Sequence, residues 1–433
     1  MADFVAASRS LPVAKNDWLD ELRAKGASAW NAFSFPGRKT EDWKYTSLHT
    51  LAKRDVFSNS LRPKELASLS LIENLDANKL VFVNGVFDAS LSEMSPQNGV
   101  QLVRFSEASS EQRALIEANV NTVADIEKHG FAALNTQCMD EGVLLYVEKN
   151  ISVDAPIYIV NYLAADEADA ATNSRLLVLL ETGAEAKLIE HYASDGTPQA
   201  CFSNAVTEHI LGENSRLEYY QILEQEEQCN HIGSVHSVLA RNAHIDSFFL
   251  SMGTLLTRVD VTLNYAGEGA EGHINGVYLP KGKQHIDFHT CVEHAVPLCQ
   301  TNENFRGIIA DQARAVFNGR IHIHPNAQKT EAYLSNKNLL TSNKAEVDTK
   351  PELEIYADDV RCAHGATVSQ LEPLSVHYLK TRGISEDEAL VMLSFGFINE
   401  LLENAKMTQV AEYCRPKLAA RFSRDPSLMR HLL

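Results

Sequence analysis

The spacing of apolar residues changes twice along the chain. Over residues 1–142 helical and strand signals are mixed: Trp18, Leu19 and Leu22 fall on one helical face, whereas residues 80–88 read as a hairpin. Asn84-Gly85, set between Val81-Phe82-Val83 and Val86-Phe87, is the dipeptide that closes a two-residue β-turn. This predicts a small α+β cap. Over residues 143–370 apolar residues recur at every second position in short runs, such as 216–222 and 314–319, and Gly/Asn turns separate the runs. A period of two places alternate side chains on opposite faces of a strand. Over residues 371–433 helical spacing returns, with Pro373 suited to a first turn, Gly383 to a C-terminal stop, and Ser385 with Glu388 to a capping box.

The turns of the middle region resemble one another. A small residue recurs before the strands at Ala184, Ser215, Ala243, Ala270, Ala313 and Ala345, at intervals of 31, 28, 27, 43 and 32 residues, the long one with room for an insertion. A loose period of that size suggests the coils of a solenoid, in which each layer buries the apolar side chains of the next and a small corner residue lets the chain turn tightly. A stacked β-helix fits best; a β-sandwich or barrel with coincident turn spacing is the competing architecture.

A chain of 433 residues exceeds what one hydrophobic core usually spans, which a repeating architecture resolves. The formal net charge of -18 repels nucleic-acid phosphates and anionic lipid headgroups alike, so neither is an expected partner. Ser8, Arg9, Lys15, Asn16 and Asp17 interrupt the N-terminal stretch, which therefore lacks the apolar run of an export signal. The most apolar long segment, 389–402, is shorter than the roughly 20 residues of a membrane span. Seven cysteines, Cys138, Cys201, Cys229, Cys291, Cys299, Cys362 and Cys414, lie far apart with no CxxC pair, as expected of free thiols in a reducing cytoplasm.

Three segments carry candidate chemistry. In an extended chain Cys362 and His364 share a face about 7 Å apart while Ala363 turns away, and thiolate and imidazole are both iron ligands. Gly365 would let another backbone or a cluster come close. Two ligands are too few for a cluster, which usually takes four, so a second chain would have to complete the set; a buried Cys beside a surface His is the plainer reading of the pattern. The second segment places His285, Asp287, His289, Cys291 and Glu293 at strict period two, and His322 and His324 repeat the arrangement later. That face could bind or relay ferrous iron, although alternation alone produces an ordinary solvent-facing strand, the reading the pattern favours. The third segment, 389–402, sets Leu390, Leu393, Phe397 and Leu401 on one helical stripe and Met392, Phe395 and Ile398 on another, with Gly396 suggesting close approach of a further element. A helix apolar nearly all round is covered twice, within its own domain or by a docked protein. Residues 41–46 offer aromatic anchoring and no nucleophile-base pair, and no Gly-rich phosphate loop, HExxH or Gly-x-Ser-x-Gly is present, so no catalytic site is expected.

The segments 38–46, 284–290 with Val292-Glu293-His294, and 362–367 with Tyr378-Leu379 and Arg382-Gly383-Ile384 together resemble the SufB/SufD family of iron-sulfur cluster assembly scaffold proteins along nearly the whole chain. The resemblance implies a right-handed parallel β-helix between N-terminal α+β and C-terminal helical domains, and a complex with SufB and the ABC-type ATPase SufC. It implies a transient iron-sulfur cluster shared with SufB, with His364 as an interface ligand beside Cys362 and a reduced flavin as a candidate cofactor of the complex. It points to the C-terminal helices, with Leu390, Leu393, Phe395, Phe397 and Leu401, as the place where the ATPase docks. Cys-Ala-His-Gly-Ala-Thr and the comparatively short chain look like the SufD side of the pair and unlike SufB, to which the proposed main cluster-building cysteine belongs. Such a subunit would be insufficient alone, and when isolated could pair with itself through the surface meant for SufB. Two other classes compete: a β-helix carbohydrate-active enzyme of the secreted type, and a stand-alone metalloenzyme using the His285 face.

Overall fold

The computed structural model describes Phe4, Ser8 and residues 17–37, 39–53, 69, 71–139, 141–164, 171–196, 200–403 and 405–422. Its centre is a parallel β-solenoid of about 7 turns. Successive strands alternate between two sheets, so each coil gives one strand to each. One sheet ends in Gln300–Ile309, Glu331–Leu340 and Arg361–Ser369; the other ends in His285–His294, Arg314–Ile323 and Glu346–Ile355. The hairpin placed by Asn84-Gly85 is present, with Val83 opposite Val86 and both turn residues at positive φ, 50° and 81°. Its first strand, Asn78–Val83, pairs in parallel with Ile157–Leu163, so the stack takes in residues of the N-terminal segment.

Burial between identical layers holds the coil together. Phe249, Phe288, Phe305 and Phe317 form an aromatic ladder along the interior, with ring centroids 6.2, 5.3 and 4.9 Å apart from one to the next. Ala184, Ser215, Ala243 and Ala270 are sealed at one corner, each following a residue in the left-handed region: Gly183 (φ 70°), Asn214 (58°), Asn242 (55°) and Gly269 (72°). Gly and Asn occupy that region at least cost, which is why the turns look alike in sequence. Ala313 and Ala345 belong to the opposite corner, immediately before Arg314–Ile323 and Glu346–Ile355. The 43-residue interval is therefore a step from one corner to the other and not an insertion; fully buried Cys299 fills the intervening place at the first corner.

Each sheet has a covered outer face. Helices Asp20–Ala32 and Gly130–Gln137 bring Trp30 and Phe131 to one sheet, where they pack with Trp43, Phe202, Ile232 and Leu256. A fully buried pair, Arg175 and Glu208, locks that contact, and Glu208 also accepts the backbone N–H groups of Asn121, Val123 and Ala124 at 2.8–3.0 Å. Helices Glu386–Glu403 and Thr408–Phe422 cover the other sheet through Phe395, Ile398, Val410 and Leu418 against Phe248, Val277 and Ile308. Pro373 opens the helix Pro373–Thr381, Gly383 (φ 84°) follows its end, and Ser385 Oγ accepts from Glu388 N at 3.3 Å.

Candidate functional site

The two ends of the solenoid differ. At the start antiparallel strands flank the stack, Val86–Phe87 in one sheet and Val100–Arg104 in the other. At the far end Arg361–Ser369 and Glu346–Ile355 each have a strand neighbour on one side only. Their free N–H and C=O groups, and the last interior layer, face outward among the described residues. Val347, Leu353 and Val360 are half-buried there, and Ile355, Tyr356 and Val368 are 41, 61 and 48 % exposed.

Cys362 and His364 lie on this end. Cys362 stands in register with Ala332 and His364 with Leu334, both core residues, while Ala363 follows outward-facing Tyr333. The two candidate ligands thus share the interior-facing side of the terminal strand, as alternation required, and no coil lies over them among the described residues. His364 is exposed, and Cys362 is half-covered, its thiol pushed up by burial. A Cβ added at Gly365 would meet nothing within 4 Å. This end offers two donors with room for a cluster and a neighbour, and a metal or an added positive charge there would favour loss of the thiol proton.

The ligand-rich strand His285–His294 divides into two halves. Over the first half lies the turn Glu41–Trp43. Thr46 Oγ1 contacts His285 Nε2 at 2.8 Å and donates to Asp287 Oδ2; Arg258 donates to Asp287 Oδ2 at 2.8 Å and to the Asp42 carbonyl at 2.7 Å, with its guanidinium 4.4 Å from the Trp43 ring centre. His289 Nε2 lies 3.1 Å from Asp287 Oδ1. Burial opposes ionisation of Asp287, but Arg258 and His289 outweigh it and hold the carboxyl well below the usual range. Burial pushes the His285 imidazole down. His285 and Asp287 therefore bind the N-terminal segment to the coil, with His289 supporting Asp287, and residues 41–46 supply the other side of that contact. Arg38, which opens the resembling segment, lies outside the described residues.

The second half opens on a cleft of roughly 440 Å³ lined by Trp43, Lys128, His289, Cys291, Arg320 and Glu352 among others. Glu293 Oε2 lies 2.7 Å from His322 Nδ1 and 2.9 Å from His324 Nε2, and Arg320 Nη1 donates to Glu293 Oε1 at 2.8 Å. Arg320 also grips Glu354 at 2.8 and 2.9 Å, so its position is set from two sides. Burial opposes ionisation of Glu293, yet His324, Arg320 and His322 hold its pKa below the ordinary value; burial raises the Cys291 thiol against the pull of Arg320.

The helix Glu386–Glu403 sorts its apolar residues differently from the expectation. Phe395 and Leu401, counted among the docking candidates, are buried in the seam against the sheet and have no surface to offer. Leu390, at 37 % exposure, and half-buried Leu393 and Phe397 keep some. An added Cβ at Gly396 meets nothing within 4 Å, so no element among the described residues makes the close approach that this glycine suggested. No helix among the described residues is long and apolar enough to cross a membrane.

Comparison with known proteins bears on this arrangement. Residues 162–397 match the profile described as SUF system FeS cluster assembly, SufBD core domain, and residues 3–159 match the SufBD protein N-terminal region. The chain belongs to the SufBD family. It is 31% identical to the iron-sulfur cluster assembly protein SufD of Escherichia coli (strain K12), over 85% of each chain. It is 26% identical to SufD of Bacillus subtilis (strain 168), over 91% of this chain and 93% of that one, and 26% identical to a SufBD family protein of Synechocystis, over 92% and 90%. As a SufBD protein the chain has its role in iron-sulfur cluster assembly. Sequence reasoning missed one cluster of this SufBD fold, His244, Asp246, Glu271 and His273. Its signal was two period-two pairs, His244-x-Asp246 and Glu271-x-His273, which pair only once the coil register is known.

Proposed function

We propose that this chain is a non-catalytic scaffold subunit of the cytoplasmic SUF assembly complex, contributing Cys362 and His364 as half of a coordination shell that SufB completes. The observation that supports this most is their placement together on the interior-facing side of a terminal strand with no coil over it among the described residues. Two unpaired strand edges and a partly exposed apolar layer surround them, the surface that pairs with another sheet end. On this reading SufC docks on the C-terminal helices through Leu390, Leu393 and Phe397, and ATP-driven closure of two SufC subunits moves SufB against the end of the coil. Iron and sulfide are the cargo, and a ligand set split between two chains lets the finished cluster leave.

The test is His364→Ala in the co-expressed complex. Cluster content should fall severalfold while the subunits still copurify; unchanged cluster content overturns the role. A second reading, iron handling on the His285 strand, narrows to Glu293, His322 and His324, where three donors converge. Replacing His322 and His324 together should lower ferrous-iron uptake by the complex, and unchanged uptake removes this reading.

A further inference from the structure

On the outer face of the sheet that carries the C-terminal helices, His244 and Asp246 of strand His244–Ser251 lie beside Glu271 and His273 of strand Glu271–Tyr278. All four are half-buried. His244 Nε2 lies 2.7 Å from Asp246 Oδ2 and His244 Nδ1 3.4 Å from Glu271 Oε2; His273 Nδ1 lies 2.8 Å from Asp246 Oδ1 and His273 Nε2 3.0 Å from Glu271 Oε1. Both nitrogens of both rings thus face carboxylate oxygens. A neutral imidazole has one N–H, so two neutral rings serve two of these four contacts and set lone pairs against oxygen in the others. Extra protons or a cation relieve that conflict. Lys406, from the turn between helices Glu386–Glu403 and Thr408–Phe422, already brings one positive charge to Asp246.

We propose that His244, Asp246 and His273 form a binding site for one divalent first-row transition-metal ion, which displaces Lys406 from Asp246. One donor atom from each residue lies within 4.8 Å of the others, so small side-chain rotations close them around an ion at the usual bond lengths of about 2.1 Å. Two imidazoles and a carboxylate are a borderline donor set that takes Fe2+, Co2+ or Zn2+ in preference to Mg2+ or Ca2+. Glu271 remains to accept the N–H of a coordinated imidazole, the usual partner of a metal-bound histidine. The Glu293 cluster is less suited to this task. There each imidazole meets the carboxylate through one nitrogen, which a single N–H satisfies, and the competing cation is Arg320, fixed by Glu354. Lys406 is 59 % exposed and can leave. Because its departure frees the turn that precedes Met407, whose N–H donates to Tyr220 Oη at 2.9 Å, the ion also bears on how the helix pair sits on the sheet.

The experiment is anaerobic titration of the full chain with Co2+ and Zn2+, read by cobalt absorption and by calorimetry in buffers of different ionisation enthalpy. One equivalent should bind with release of protons. His244→Ala and His273→Ala, checked for unaltered thermal unfolding, should lose that equivalent, and Lys406→Met should bind about tenfold more tightly, because a competing charge has gone. His322→Ala with His324→Ala should leave this equivalent in place, whatever it does to ferrous-iron uptake by the complex. The proposal is overturned if Lys406→Met binds no more tightly, if His273→Ala keeps the equivalent, if the His322/His324 variant loses it, or if a strong thiolate-to-cobalt band shows cysteine ligation instead.

Discussion

Glu303 gives a quantitative test of how the interior of the coil is built. Its carboxyl is fully buried; Thr290 Oγ1 donates to Oε1 at 2.5 Å, and Oε2 has no hydrogen-bond partner among the described residues. Burial pushes its pKa up from 4.5 to about 7, against the weaker opposing pull of Thr290. Below about 4.5 the group is protonated in both folded and unfolded chains. Between 4.5 and about 7 the folded state keeps a proton that the unfolded state has released, so the stability it contributes is present at low pH and disappears as pH rises through about 7. Each pH unit in that window costs about 1.4 kcal/mol, which makes about 3 kcal/mol in all. Glutamine has the same shape and stays neutral, so Glu303→Gln should gain about 3 kcal/mol on the wild type between pH 5 and pH 8.5. With an unfolding entropy of about 2.1 cal/mol/K per residue over 433 residues, that is a relative shift of about 3 °C. Thermal unfolding of both proteins at the two pH values measures it. A difference between them that does not change with pH would refute a neutral, buried Glu303.

Two further outcomes test the packing and the open end. Glu208→Ala leaves the Arg175 guanidinium buried without its carboxylate, so it should destabilise the chain by about 3–5 kcal/mol and lower the unfolding midpoint by several degrees; a change within error would mean that water reaches the pair. Val368→Lys puts a charge on the exposed terminal strand; it should leave the unfolding midpoint unchanged and weaken copurification of SufB at least tenfold, whereas undiminished copurification would move the docking surface elsewhere.

Features set by neighbouring residues were the most readable in the sequence. Asn84-Gly85, Pro373 and Gly383 act through their own backbone preferences, and each is where its residue type requires. The corner repeat was visible because a left-handed Gly or Asn followed by a small residue recurs in four successive coils. Its two corners merged into one list because Ala serves at both. Helical periodicity revealed that residues 389–402 are apolar on two stripes but not which stripe meets the sheet, so buried Phe395 and Leu401 stood beside accessible Leu390. The division of the His285 strand was hidden for a similar reason: Arg258 and Thr46, which turn His285, Asp287 and His289 into an anchor, are distant in sequence and meet that strand only through coil register and docking of the N-terminal segment.

The end of the stack links ligand chemistry to partner docking in a way that neither pattern nor register states alone. Covering this end takes Cys362 and His364 out of water, and each then carries polar hydrogens or lone pairs that an apolar neighbour cannot satisfy. Burial already pushes the Cys362 thiol up, so deeper burial alone makes its thiolate scarcer. A bound metal reverses both penalties, since it replaces the thiol proton and takes the imidazole lone pair. If a sister subunit docks here, metal and partner must each strengthen the binding of the other by the same factor, because the two are linked through one shared surface. At Cys362 and His364 an isolated chain would then hold iron weakly and an empty complex would close weakly, and only the ternary state would be tight. The iron affinity lost in Cys362→Ala with His364→Ala, measured with and without the sister subunit, decides the matter: equal losses would mean that Cys362 and His364 do not belong to the shared shell.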